Sequence, residues 1–520
     1  MSAAAATTGV GPAPSLVGNR KALTALALAL GTFMQVLDTS IANVSIPTIA
    51  GNLGVSSDQG TWVITSFAVA NGVSVPLTGW LMQRFGVVRT FVVSVALFTI
   101  ASLLCGLAWS LPSLIAFRVL QGAVSGPMIP GSQALLINVF GPAKRNTALA
   151  IWSITTLVAP IAGPLLGGYI SDNYVWPWIF LINVPVGALC VAVCWSNLKS
   201  HETPTRKLPI DRVGLVLLFV WVGALQILLD KGKDLDWFAS PFIVGLLIVT
   251  VIAFAAWLIW ELTERYPIVD LSLFKSRSFS LGTLALCLGY AVFFGNIVLM
   301  PLWLQSFVGY TATWAGLVSA PSGVTAILTS LVVGSLMRRF DTRLLAATAF
   351  GLYATSYFMR ASLTADAGFL SFVAPQLVQG FAMGLFFVTM LTMIFDGLPH
   401  HKIPAASGLS NFLRITAGSF ATSLTTTLWD RREAFHQARL TDSITVYAPA
   451  YQQSLAQLHQ FGMTDQAAAG TMTQSLVGQS YLLSSLDLFY LSAWLCVALI
   501  PLCFLVRRPS GGGPAAVAAD

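Results

Sequence analysis

The sequence predicts an all-α integral membrane protein of fourteen transmembrane helices, built as two six-helix halves with two further helices inserted between them. Three observations carry this. Hydrophobic residues make up 56% of the 520 and charged residues only 9%, against roughly 25% charge in a soluble chain. Apolar runs of 18 or more residues recur along the whole length, each long enough to cross a hydrocarbon core of roughly 30 Å. Short motifs also repeat at nearly one offset. The runs are continuous rather than alternating, which favours helices over a barrel.

In order, the predicted spans lie near 22–45, 60–81, 90–109, 112–138, 147–170 and 177–198, then 211–230 and 241–261. The second set lies near 279–304, 312–337, 343–361, 368–395, 405–429 and 484–506. Gly79-Trp80-Leu81-Met82-Gln83-Arg84-Phe85 recurs 255 residues later as Gly334-Ser335-Leu336-Met337-Arg338-Arg339-Phe340. Val119-Leu120-Gln121-Gly122 recurs 258 residues later as Leu377-Val378-Gln379-Gly380. Both matches fall at the same place in each half. The expected organisation is a tail 1–21, a first half 22–198, a linker 199–278 with two inserted spans, a second half 279–506 with an outer loop 431–482, and a tail 507–520. Parallel halves related across the bilayer are the architecture of rocking transporters.

Nineteen Lys and Arg residues, among them Arg84, Arg89, Lys144, Arg145, Lys402, Arg507 and Arg508, fall on the side holding both termini, and six, Arg360 among them, on the other. The positive-inside rule then places both termini in the cytoplasm. The outer loop 431–482 reads either as merely solvated or as a docking surface built on short amphipathic helices.

Asp38 is embedded in the first span. A charge in lipid costs several kcal/mol, roughly 2.5–3.5 even on the lenient insertion scale, so such residues face a cavity or a partner. Gly31, Gln35, Asp38, Ala42 and Ser45 form a small, polar stripe at helical spacing, while Leu30, Met34, Leu37 and Ile41 form an oily one. Arg118, in the fourth span, lies about 9 Å below its outer end, and Asp38 about 14 Å below Pro47. Their positions allow an ion pair, either a proton carrier or a static lock between spans. Gln376 replaces Arg118 in the second half, so the proton chemistry is expected in the first half alone. Arg414 is the third embedded charge; it either binds an anionic substrate or pairs with backbone carbonyls. Gln35, Asn43, Trp62, Phe294, Asn296, Trp303, Gln305, Asn411 and Phe412 are candidates, with Arg414, to line a cavity for flat amphipathic molecules.

The six cysteines lie in apolar runs without paired spacing, and the five histidines lie in loops, so neither a disulfide framework nor a metal site is expected. No cofactor motif is found. No GxxxxGK[ST] loop appears, so ATP is not the expected drive. With no polar catalytic cluster, the chain does not read as an enzyme, and the two-fold repeat argues against a fixed pore.

Leu37-Asp38-Thr39 with Asn43 and Pro47 resembles the first-span signature of the fourteen-span drug:proton antiporters of the major facilitator superfamily. Gly79-x-Leu81-x-x-Arg84-x-Gly86 with Arg89 resembles the superfamily's second-to-third loop motif, and Leu114-x-x-x-Arg118-x-x-Gln121-Gly122 its fourth-span motif. Gly163-Pro164-x-x-Gly167-Gly168 resembles its fifth-span antiporter motif. The resemblance covers essentially the whole chain and implies the major facilitator fold. It also implies proton-driven multidrug efflux across a bacterial inner membrane, working with a periplasmic adaptor and an outer-membrane channel. One departure stands out: the loop motif normally has an acid where this chain has Gln83. A narrow metabolite or siderophore exporter of the same fold remains the alternative.

Overall fold

The computed structural model describes residues 18–141, 144–205, 209–364, 367–399, 402–443 and 447–506. The first seventeen residues, the tail from 507, and Arg206, Lys207, His400 and His401 lie outside the described residues. All regular structure among the described residues is helical.

The path opens with α1 (Asn19–Leu53), stopped by Gly54 in the left-handed region at φ 67°. A single turn, α2 (Ser57–Gly60), leads to α3 (Trp62–Ser74) and α4 (Thr78–Phe85). These two meet at 56° across Val75-Pro76-Leu77, where proline removes a backbone donor. Then come α5 (Val87–Gly106), α6 (Leu111–Ser125), α7 (Met128–Phe140), α8 (Arg145–Asn173), α9 (Trp178–Leu181) and α10 (Asn183–Leu198). Ser110 caps α6 with Pro112 in its first turn, a pre-organised start. Next are α11 (Arg212–Lys231) and α12 (Pro241–Thr263), packed on each other, with α11 also against α3 and α17. The C-terminal set comprises α13 (Arg277–Ser306), α14 (Ala312–Arg339), α15 (Thr342–Ala361), α16 (Phe369–Phe395), α17 (Ile403–Ser443), α18 (Pro449–Gln460) and α19 (Asp465–Leu505).

Nine helices among the described residues are long and apolar enough to cross a membrane, ten if the bent α3–α4 pair is one span. The chain is therefore a multi-pass membrane protein. The remaining predicted runs fall on helices broken by Gly-Pro, such as α6–α7 at Gly126-Pro127, or diluted by small and polar residues, such as α8 and α17.

The repeat is visible in packing. A Cβ on Gly122 would lie 2.5 Å from the Phe67 carbonyl oxygen, and one on Gly380, 258 residues later, 2.2 Å from that of Ser322. Each glycine lets the helix bearing it touch its neighbour, α6 on α3 and α16 on α14. Within the N-terminal set α1 packs on α8, α10 and α7; within the C-terminal set α13 packs on α16, α17 and α19. Contacts between the sets run through α8 with α14 and α16, and through α17 with α7 and α4.

The segment 431–482 differs from the loop expected there. Helices α17 and α19 each run 41 residues, about 60 Å at 1.5 Å per residue and twice the hydrocarbon thickness. Their Ala-, Gln- and Leu-rich composition keeps propensity high outside the apolar runs. With α18 they form a helical projection.

Candidate functional site

Asp38 and Arg118 are both fully buried and joined at 2.5 Å, Arg118 Nη1 to Asp38 Oδ2. Four donors and acceptors hold the pair. Gln121 Nε2 and Asn183 Nδ2 each donate to Asp38 Oδ1 at 3.0 Å. Arg118 Nη1 also donates to Gln121 Oε1 at 2.7 Å, and Nε donates to the Val63 carbonyl at 3.0 Å. Phe67 at 4.3 Å and Phe180 at 5.4 Å cover the guanidinium. Helices α1, α3, α6 and α10 thus converge on one ion pair. Arg118 Nη2 has no partner among the described residues. The arrangement is neutral only while Asp38 is ionised; a proton on Asp38 leaves a buried, uncompensated guanidinium, which is costly.

One turn from Asp38, Gln35 is 3% exposed and its Oε1 lacks a partner among the described residues. Asn43 is exposed on the far stretch of α1. Trp62 is 39% exposed, 5.9 Å from the Lys231 ammonium. The antiporter motif lies on α8, which continues unbroken through Pro160 and Pro164. A Cβ on Gly163 would sit 2.5 Å from Ser40 Cβ, and one on Gly167 3.0 Å from the Ile41 carbonyl oxygen, whereas Gly168 faces open space.

A second polar centre forms where the two helix sets meet. Arg414, 2% exposed on α17, donates through Nη2 to Asn411 Oδ1 at 3.0 Å. Tyr290 lies 4.6 Å from its guanidinium, Phe387 5.8 Å and Trp152 5.9 Å. Phe294 stacks behind Tyr290 at 5.2 Å. Asn411 Nδ2 donates to Gln133 Oε1 of α7 at 3.2 Å, and Ser407 hydrogen-bonds the same oxygen. This buried, aromatic-walled centre carries one charge, that of Arg414.

Residues 28–422 match the sequence model of the family described as the Major Facilitator Superfamily. The chain belongs to that superfamily. It is 50% identical over 500 residues to "Multidrug export protein EmrB" of Escherichia coli (strain K12), covering 96% of this chain and 98% of that protein. It is 49% identical to the Haemophilus influenzae protein of the same name, with 96% and 98% covered. A crystal structure of a bacterial homolog of the human lysosomal transporter Spinster, inward-facing and occupied, matches with a TM-score of 0.53 at 14% identity, over 95% of this chain and 98% of that one. That likeness is one of fold.

In this superfamily member the remaining candidates are dispersed. Asn296 is buried and donates to the Val292 carbonyl at 2.7 Å and Ser492 Oγ at 2.9 Å. Phe412 turns toward Trp221 at 5.8 Å, on the inserted pair. Trp303 packs on Phe372 at 5.7 Å and borders a cavity of about 430 Å³ with Phe307, Gln474 and Gln479. Gln305 is exposed, donating to the Pro301 carbonyl at 3.1 Å. Arg414, Asn411 and Phe294 do gather, joined by Gln133, Trp152, Tyr290 and Phe387, which sequence reasoning did not single out.

Two further residues were missed. Arg360, expected in an outer segment, is 1% exposed in the last turn of α15, where it donates to Gln376 Oε1 at 3.0 Å and also bonds Gln379. The C-terminal set therefore has its own buried cation, carried by a different helix from the one bearing Arg118. Glu202, in the linker, accepts from the backbone N–H of Val88 at 3.0 Å and of Arg89 at 2.8 Å. It caps α5 beside Gly86 (φ 93°), supplying a carboxylate to the helix start next to the motif position that holds Gln83. Arg84 lies with its guanidinium 5.4 Å from Trp80, and Gly79 abuts Ala405, its Cβ position 3.0 Å from the Ala405 Cα.

Proposed function

We propose that this chain is a proton-coupled antiporter that exports hydrophobic and amphipathic toxic compounds by alternating access. The buried Asp38–Arg118 pair carries this reading. Among the described residues, Asp38 is the acid held wholly inside the N-terminal helices, without exposed surface, by Arg118 and Gln121 of α6 and Asn183 of α10. The names of the EmrB relatives support multidrug export as the activity.

The proposed cycle begins with Asp38 ionised and cargo bound at the centre between the sets. Rocking opens the centre outward. A proton reaching Asp38 releases Arg118, loosens the convergence of α1, α6 and α10, and favours cargo release; the protonated carrier returns and discharges inward. Each charge crossing the membrane supplies roughly 2.3 kcal/mol per 100 mV.

In this reading the chain has fourteen spans, as halves 22–198 and 279–506 with spans seven and eight in the linker 199–278. It lies in a bacterial inner membrane with both termini cytoplasmic. Its partners are a periplasmic adaptor, seated against the projection of α17, α18 and α19, and an outer-membrane channel. Proton-driven dye uptake into inverted vesicles tests it: wild type concentrates the dye and Asp38→Asn does not. Accumulation by Asp38→Asn against a pH gradient would overturn the carrier assignment. A deletion strain rescued against one metabolite alone, across a panel of dyes, uncouplers and antibiotics, would favour a narrow exporter.

A further inference from the structure

Trp303 stands apart from the centre between the helix sets. It forms part of one wall of the cavity of about 430 Å³ at the end of α13, and the stretch of α19 that belongs to the projection forms the other. Tyr290, at the centre, and Trp303 lie thirteen positions apart on α13, about 20 Å at 1.5 Å per residue. The two places are separate, and one helix connects them.

The cavity falls within the roughly 300–1,000 Å³ of sites that hold drug-sized molecules. Its lining is of two kinds: Trp303 and Phe307 on the side of α13, Thr471, Gln474, Ser475 and Gln479 on the side of α19. The aromatic side is fixed from behind. Phe307 stacks on Tyr481 at 4.3 Å, Tyr481 lies 4.6 Å from Trp429 of α17, and Trp429 Nε1 donates to Ser485 Oγ at 2.9 Å. The polar side is wet, with Gln474, Ser475 and Gln479 exposed. None of the lining residues is charged. One polar group of the aromatic side is unsatisfied: Trp303 is 3% exposed, and its Nε1 has no partner among the described residues. A buried indole N–H normally finds an acceptor, and the ring packed on Trp303, that of Phe372, offers no lone pair.

We propose that this cavity is a second binding site, which holds an uncharged aromatic amphiphile on its way out from the centre. A charged head would give up hydration here without meeting a counter-charge. Flat rings match the faces of Trp303 and Phe307. An acceptor on the ligand satisfies Trp303 Nε1, and the amides and hydroxyls of α19 serve either a donor or an acceptor. The chemistry thus differs from that of the centre, which carries the charge of Arg414. The inference goes beyond the export reading and takes from it only the direction of passage: α19 continues from the cavity into the projection, so a molecule leaving the cavity is delivered at the foot of the projection.

The test uses three photoprobes that share one ring system: 4-(hydroxymethyl)benzophenone, 4-benzoylbenzoate and 4-(aminomethyl)benzophenone. Each is titrated at pH 7 into the purified full chain in lipid nanodiscs and irradiated, and labelling of 303–308 and 471–482 is read by peptide mass spectrometry. In wild type the alcohol is expected to label both segments saturably, half-saturating at a concentration about tenfold below those of the carboxylate and the amine. Ser475→Trp fills the cavity from an exposed position and should raise the half-saturating concentration about tenfold or more. Trp303→Phe keeps a ring, loses the N–H and should raise it about two- to tenfold. In inverted vesicles Ser475→Trp should also lower the maximal rate of proton-driven uptake of a neutral dye. Absence of label from both segments, equal labelling by the three probes, or labelling unchanged in Ser475→Trp or Trp303→Phe overturns the site. Undiminished dye uptake by Ser475→Trp overturns its place on the way out. These results leave export standing, because the Asp38→Asn vesicle assay fails separately if that reading is wrong.

Discussion

Gly163 faces Ser40 so closely that a methyl group at position 163 would lie 2.5 Å from Ser40 Cβ. Ser40 is two residues from Asp38 on α1, and its hydroxyl donates to the Pro160 carbonyl of α8 at 3.1 Å. The glycine motif therefore meets the stretch of α1 that carries Asp38 through backbone proximity. Its glycines bring α8 onto the part of α1 that carries the carboxylate.

Gly163→Ala is expected to push α1 and α8 apart, costing about 1–3 kcal/mol as an overpacked contact, and to raise passive proton leak. Gly168→Ala, with nothing within 4 Å of the new Cβ, should change neither. Thermal unfolding in detergent and the decay of an imposed pH gradient in vesicles measure the two effects. Equal behaviour of the two variants would show that this packing does not seal the path.

The Asp38–Arg118 pair makes a prediction about coupling. Removing one member leaves a buried charge unpaired, at about 3–5 kcal/mol, so Asp38→Asn and Arg118→Met should each lower the unfolding temperature sharply. The double variant should be more stable than the sum of the two losses implies, while remaining inactive in proton-driven uptake. A double-mutant cycle measures this, and strict additivity would mean that the two side chains do not interact in the folded protein.

A third expectation concerns the end of the bundle that carries Arg84 and Arg145. There Thr392 donates to Asn146 across the helix sets at 3.3 Å, Arg145 lies 5.5 Å from the Phe395 ring centroid, and α4 touches α17 at Gly79 and Ala405. This end is closed. Cysteines at 146 and 392 should form an oxidation-dependent cross-link that stops transport and is reversed by reductant. Uninterrupted turnover with the cross-link in place would mean that this end need not open.

How much of this was legible in the sequence differs between residues for physical reasons. Asp38 and Arg118 stand out because a charge amid apolar residues has no cheap explanation. Arg360 also lies in apolar surroundings but near a helix end, where a long side chain usually reaches the interface. Its register with Tyr353 and Tyr357, seven and three residues before it, was the available sign that it points inward. Glu202 looks like an ordinary linker acid, and only the fold brings it to the start of α5. The centre around Arg414 draws on α7, α8, α13, α16 and α17, so no local pattern could assemble it. Polar and aromatic residues such as Asn43 and Gln305 matched the composition of a cavity wall yet face outward or their own helix.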